Sequence, residues 1–328
     1  MRSAVQIRPP RQLITTFPGG DFLYTAIDIN LVDRTNHNHL IIGAGITIQM
    51  SLSRRSFLKI SGLVGLSVTA IASGLIAVAN EANDPVIDEI IVPIKNLDPG
   101  LEGFRIVQIS DIHLRPYTEP DLVKKSVLLA NQLNPDLTVL TGDYVWRVRD
   151  AAFELAPILA NLNARYGVYS VMGNHDYWLD IRTVQQAFTD SNLPVLYNQG
   201  LVINHNGANL YLAGMDDGWS GQPNLQAALA DAPAHIPVIL LLHEPDLIDQ
   251  VSIDPRVSLQ LAGHTHGGQV LVPGRPPFFT PYLGKKYSQG LFRVRQAWLY
   301  TNRGLGVISV PFRINCPPEV TLLTLAAE

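Results

Sequence analysis

Leu261-Ala262-Gly263-His264-Thr265-His266-Gly267-Gly268-Gln269 is the stretch on which the reading of this chain turns. A short apolar run, residues 258–262, leads into two histidines one residue apart, and the chain leaves through glycines. In extended backbone the side chains at i and i+2 share a face, which predicts that His264 and His266 point into one cavity. A pair this close suits a metal ion, although taken alone it reads equally well as two ordinary loop histidines. What lies upstream decides between the two.

Working back from this segment, apolar runs end repeatedly in polar residues. Residues 86–93 alternate as a first strand. Residues 104–110 form a second that stops at Asp111-Ile112-His113, followed by an amphipathic helix over 120–133. A strand over 137–141 ends at Gly142-Asp143, a helix covers 151–162, and a strand over 167–172 ends at Gly173-Asn174-His175-Asp176. This order implies right-handed parallel crossovers and an α/β sheet, with polar groups gathered where open sheets place their ligands. Another helix is expected over 181–191. Strands then follow over 194–197, 201–205, 209–214, 238–242, 258–262, 290–295, 298–301 and 320–325, with short helices over 223–231 and 246–251. No repeat or linker interrupts the chain after residue 85, so a single domain over residues 80–328 is expected.

Five of the nine histidines fall at these strand ends: His113, His175, His243, His264 and His266. Here the sequence resembles the calcineurin-like metallophosphoesterase family. Its ordered segments appear as Asp111-Ile112-His113, Gly142-Asp143, Gly173-Asn174-His175-Asp176, His243 and Gly263-His264-Thr265-His266. The segment Asn302-Arg303-Gly304-Leu305-Gly306 and the tail from Arg313 through Asn315-Cys316-Pro317-Pro318-Glu319 resemble its exported or membrane-associated branch. That branch includes enzymes acting on UDP-2,3-diacylglucosamine and general phosphodiesterases. The resemblance implies a two-sheet α-β-β-α sandwich and a site for two divalent ions. One ion would be held by Asp111, His113, Asp143 and His266, the other by Asp143, Asn174, His243 and His264. N/O ligands suit Mn, Fe or Zn. The resemblance further assigns His175 to the leaving group as general acid, with Asp176 either orienting that imidazole or capping a turn. Protein phosphatases of the family carry a second Asp where this chain has Trp146, which speaks against a phosphoprotein substrate. Arg147 stands where that branch holds phosphate.

Composition bounds the rest. The hydrophobic fraction is 47%, enough for a sizeable core. Residues 80–328 carry 17 Lys/Arg against 25 Asp/Glu, because residues 1–79 hold seven and three. That acidic balance argues against a nucleic-acid preference, since non-specific affinity comes from basic neutralisation of phosphates. Six of the 17 basic residues, Arg275, Lys285, Lys286, Arg293, Arg295 and Arg303, nevertheless follow the His-x-His segment, as a solvated surface or a contact for an anionic substrate or headgroup. The lone Cys316 excludes an internal disulfide and a thiolate cluster.

At the N-terminus, Val5-Gln6-Ile7-Arg8-Pro9-Pro10 back-translates to something like a tRNA T-arm, so residues 1–49 are expected to be an unfolded upstream extension with translation starting at Met50. Ser53-Arg54-Arg55-Ser56-Phe57-Leu58-Lys59, the apolar stretch 60–78 and Ala77-Val78-Ala79 resemble a twin-arginine export signal over residues 50–79. A retained membrane anchor is the alternative. The signal implies the twin-arginine machinery as a partner and an extracytoplasmic location. Trp146, Tyr177, Trp178 and Trp219 are candidates for an aromatic rim, with core packing the alternative for each. Phe278, Phe279 and Tyr282 sit in a Pro-rich loop that suits a lipid surface. Arg115 and Arg303 are candidates for a second phosphate or a headgroup. Gly267 and Gly268 are expected to keep the mouth of the site clear. The reading is therefore a dinuclear metal-dependent hydrolase of phosphate esters, a phosphodiesterase or pyrophosphohydrolase on a lipid-linked or nucleotide-like substrate. A phosphomonoesterase, or a silent metal-binding protein at the membrane surface, is the alternative.

Overall fold

The computed structural model describes residues 39–42, 46–49 and 84–328. In the N-terminal unit, β1 (His39–Ile42) and β2 (Ile46–Gln49) pair as an antiparallel backbone ladder. The export segment over 50–79 and the rest of residues 1–49 lie outside the described residues. Among those described, no helix is long and apolar enough to cross a membrane.

Residues 84–328 build two facing sheets. The first contains β3 (Val86–Ile94), β4 (Arg105–Ile109), β5 (Leu137–Thr141), β6 (Val168–Val171) and the C-terminal β13 (Glu319–Ala327), in the order β3-β13-β4-β5-β6. The second contains β7 (Gln199–His205), β8 (Ala208–Gly214), β9 (Val238–Leu241), β10 (Val257–Ala262), β11 (Gly290–Val294) and β12 (Ala297–Thr301), in the order β11-β12-β10-β9-β8-β7. Side chains alternate across each strand, and the layers follow from that period. From β4 and β5, Val107, Ile109 and Leu140 pack with Val123, Val127 and Leu155 of α1 (Pro120–Gln132) and α2 (Ala151–Leu159). Ile106, Leu137 and Val139 turn the other way and meet Leu210, Leu212, Leu259 and Leu261 of the second sheet. Tyr211, Ala213, Leu240 and Leu299 face outward from that sheet, against Ile248 and Val251 of a short helix (Ile248–Val251). The result is the α-β-β-α sandwich.

Two differences from the sequence reading have local causes. Residues 194–197 make only isolated bridge pairing, Ser170 with Val195, and do not form a strand. The helix expected over 181–191 begins earlier, as α3 (Asn174–Asp190), with an extended break at Asp180. It starts there because the Asp176 carboxylate accepts the Gly173 N–H at 2.9 Å, closing a capping box at the helix entrance.

Candidate metal centre

Each candidate ligand sits just past a strand: Asp111 and His113 after β4, Asp143 after β5, Asn174 after β6, His243 after β9, His264 and His266 after β10. The first three strands belong to one sheet and the last two to the other, so the site lies where the ends of both sheets meet. The crossing is direct. The His264 N–H donates to both oxygens of Asp111, at 2.9 and 3.0 Å. Beneath them the buried Gln108 amide donates to Thr141 Oγ1 and to the Ala262 carbonyl, each at 2.9 Å, tying β4 to both sheets.

The backbone converges in a way the strand period did not anticipate. Asp111, His113, Asp143, His264 and His266 all have positive φ, between 47° and 75°. Such values are uncommon outside glycine and cost on the order of 1–3 kcal/mol each when the surroundings enforce them. His264 and His266 therefore share a cavity through successive left-handed turns beyond the end of β10, not through the pleat of a strand. The neighbouring motif glycines are needed for close approach. A Cβ at Gly173 would lie 2.3 Å from Asp143 Oδ1, and one at Gly263 would lie 2.1 Å from Asp111 Oδ2.

Two triads result. Asp111, His113 and His266 bring ligand atoms within 4.8 Å of one another, and so do Asp143, His243 and His264. All six are buried. Asp143 stands between the triads: its Oδ2 is 3.4 Å from His113 Nε2 and 3.2 Å from His243 Nε2, while its Oδ1 accepts the His175 N–H at 2.9 Å. His243 Nδ1 lies 2.6 Å from the Thr141 carbonyl, and His264 Nε2 lies 2.7 Å from that of Tyr282. Donation to those carbonyls leaves His243 Nε2 and His264 Nδ1 as lone-pair atoms facing inward. These two, with His113 Nε2, His266 Nε2 and Asn174 Oδ1, are buried without a hydrogen-bond partner in the protein. Buried polar atoms are normally paired, so five orphans converging on two carboxylates fit a pair of cations. The residues present suit the ions that the sequence resemblance implied.

Electrostatics at His264 and His266 agree with that fit, whereas His243 gives up a proton when it ligates. Burial pulls His264 down to about 3, helped by the neighbouring His243, and pulls His175 down to about 4. Burial, His113 and the guanidinium of Arg313 hold His266 well below the usual imidazole range. These rings are neutral at neutral pH, the form that ligates metal. Burial opposes charge on both His243 and Asp143, but their mutual attraction wins. His243 is raised well above its ordinary value, and Asp143 is lowered well below its own with the help of His175.

Several expected roles are corrected. Asp176 does not reach the His175 ring. Its carboxylate accepts the backbone N–H groups of Gly173, Asp143 and Tyr144, so it locks two ligand-bearing loops together, and burial beside Asp143 raises it to about 7. Tyr177 turns from the rim to hydrogen-bond Asp216. The rim is instead Trp146, whose ring lies 4.5 Å from that of His175, then Trp178 at 4.7 Å, and Trp219, which meets Trp178, His264 and Tyr282. Arg115 is engaged by Glu119 and Glu154, and Arg303 by Asp88 and Glu319, so neither offers a free cation to a phosphate. Arg147 is exposed and lies over the Trp146 ring. Gly267 and Gly268 do not clear the mouth: a Cβ on the first would strike Arg303 and Cys316 in the interior, and on the second Pro277. Sequence reasoning gave no role to Arg313, which is fully buried against His266. The tail motif containing it was the available signal.

The calcineurin-like phosphoesterase family model matches residues 104–268. A metallophosphoesterase of Bacillus subtilis, YkuE, described as uncharacterised, is 35% identical over 282 residues, covering 84% of this chain and 98% of its own. The phosphodiesterase YaeI of Escherichia coli is 33% identical over 228 residues, or 68% of this chain and 82% of its own. The UDP-2,3-diacylglucosamine pyrophosphatase LpxG of Chlamydia muridarum is 28% identical over 283 residues, or 70% and 85%.

Proposed function

Since the chain belongs to the calcineurin-like phosphoesterase family, we propose that it is a dinuclear metal-dependent hydrolase of phosphate diesters or pyrophosphates with a lipid-linked or nucleotide-like substrate. The observation that carries this is the pair of buried triads facing each other across Asp143, with their ligand atoms unpaired. Asp111, His113, Asp143 and His266 would hold one ion, and Asp143, Asn174, His243 and His264 the other, as Mn, Fe or Zn. Ions bound there supply Lewis acidity toward phosphoryl oxygens and acidify bound water.

The chain's own groups do the rest. Asp111 is fixed by the His264 amide and Asp143 by the His175 amide, so neither carboxylate must reorganise when substrate arrives. Trp146, Trp178 and Trp219 restrict water at the mouth around His175. His175 is part-buried, packs against Trp146 and Trp178 of the rim, and stands outside the two ligand sets proposed above. With its pKa near 4 it meets the substrate as a neutral hydrogen-bond donor. It becomes a general acid toward the leaving oxygen once an anionic phosphate raises that value. The relatives YaeI and LpxG, by their names, support diester and pyrophosphate chemistry. We assign this chemistry to residues 80–328, exported by the twin-arginine segment at 50–79 and working at the membrane surface outside the cytoplasm.

The full chain with Mn²⁺ is expected to hydrolyse bis(p-nitrophenyl) phosphate faster than p-nitrophenyl phosphate and to lose both activities to a chelator. The reverse preference would make it a monoesterase. Two bound metals with no turnover on either ester would make it a silent metal-binding protein. His175→Ala should keep its metal content while turnover of alkyl esters, whose leaving groups need a proton, drops by about a hundredfold. Nitrophenyl esters should suffer much less, and an equal loss on both would remove His175 from the leaving-group role.

A further inference from the structure

Beside the metal centre a cleft of about 570 Å³ opens from Thr265 and His266 and runs outward between two loops. Val270, Phe278, Phe279, Ile308, Val310 and Phe312 give it apolar walls, and no Asp, Glu, Lys or Arg lines it. That size lies within the range of small-molecule sites. Its mouth is unusually apolar for a water-facing surface, with Phe278 61% and Phe279 77% exposed. The cleft adjoins the reaction centre, because His266 belongs both to its wall and to the first triad. The loop carrying Phe278 and Phe279 continues to Tyr282, whose carbonyl lies against His264 Nε2 and whose ring meets Trp219.

The surrounding sequence says what kind of phosphate compound this is. Residues 255–318 contain no Asp or Glu and eight Lys/Arg. Arg275, three residues before Phe278, and Lys285 form no ion pair among the described residues, whereas Arg256, Lys286, Arg293 and Arg303 pair with carboxylates from outside the segment. An apolar slot in a segment that carries these two unpaired cations matches a molecule with an anionic head and a hydrocarbon tail. We propose that the cleft is a subsite for one alkyl or acyl chain of the phosphate-ester substrate, with Phe278, Phe279 and Val310 setting chain-length preference. This deepens the phosphodiesterase reading and rests on it.

The test uses the full chain with Mn²⁺ and the p-nitrophenyl diesters of methyl, butyl and octyl phosphate, all below micelle-forming concentrations. KM is expected to fall by about tenfold or more from methyl to octyl, since each buried methylene strengthens binding about fourfold at best. Val310→Trp fills the cleft and should return the octyl KM to the methyl value. Phe279→Ser, at a largely exposed position, should weaken the gain without threatening the fold. Equal KM values along the series would overturn the proposal and leave the cleft to another occupant, such as an apolar segment of this chain. A chain-length gain that survives Val310→Trp would overturn it as well.

If no diester is turned over at all, the phosphodiesterase reading fails first, and the cleft is then tested by titration with cis-parinaric acid. Saturable one-to-one binding that Val310→Trp abolishes supports a hydrocarbon subsite. Absence of binding, or binding unchanged in the variant, overturns it.

Discussion

Asp143→Asn is expected to abolish metal loading at the concentrations that saturate the unaltered chain and to lower diester turnover by roughly 10³-fold or more, at the upper end of the loss when one preorganised electrostatic group is removed. Among the described residues, Asp143 is the one whose carboxylate faces ligand atoms of both triads, through His113 and His243. An amide in its place keeps the shape but removes the charge that both ions would share. The substitution also changes the metal-free protein. The raised pKa of His243 contributes stability that is complete below its ordinary 6.5 and is lost as pH rises through the higher folded value. The depressed pKa of Asp143 contributes stability that is present above its ordinary 3.8 and is lost as pH falls through the lower folded value. Both contributions overlap between those two ordinary values. In chelator, urea unfolding should therefore separate variant from parent more at about pH 5.5 than at about pH 8.5. Metal content measured by atomic absorption and unchanged in Asp143→Asn would sink the bridging role.

Asp143 also shows what the sequence could carry. Its place after an apolar run predicts a strand end, and β5 ends at Thr141 as that run requires. The same local reasoning located Asp111, His113, Asn174 and His243. All of these depend on short-range patterning, in which an apolar strand stops and a polar turn begins. What escaped depends on residues far apart in the chain. The last strand, β13, inserts between β3 and β4, parallel to the first and antiparallel to the second, and no local pattern specifies those neighbours. Positive φ at five ligand positions is equally invisible, because Asp and His, though enriched there among non-glycine residues, adopt it at only a small minority of positions. It is the tertiary contacts, such as His264 N–H to Asp111, that stabilise those turns. For the same reason the sequence left Asp176 open between orienting His175 and capping a turn, and only the fold selects the cap. Its three backbone donors come from two loops separated by some thirty residues.

Arg313→Met should destabilise the metal-free protein by about 3 kcal/mol or more, a value set by stranding several buried acceptors at once. The guanidinium is fully buried and pairs with no carboxylate. Instead it donates to the carbonyls of Arg303 at 2.9 Å, Gly304 at 3.1 Å, Gly306 at 3.1 Å and Cys316 at 3.2 Å. Those carbonyls belong to the 303–306 turn and the C-terminal tail, two segments that otherwise have little regular structure, so one cation organises both. Methionine matches much of the volume but offers no donor, and water has no room to replace it. The same guanidinium lies 3.4 Å from His266 Nδ1 and helps keep that ring neutral. Arg313 also donates to the His266 carbonyl at 3.4 Å and so places that residue's backbone; its loss should weaken metal binding by about tenfold to a hundredfold, the usual cost of removing a group that positions a ligand. Lys at this position restores the charge but not the planar fork of donors, and should recover less than half of the lost stability. Denaturant midpoints in chelator, compared with metal titrations of the same variants, separate the two effects. A wild-type midpoint with weakened metal binding would confine Arg313 to the ligand, whereas a lowered midpoint with unchanged metal affinity would confine it to the fold.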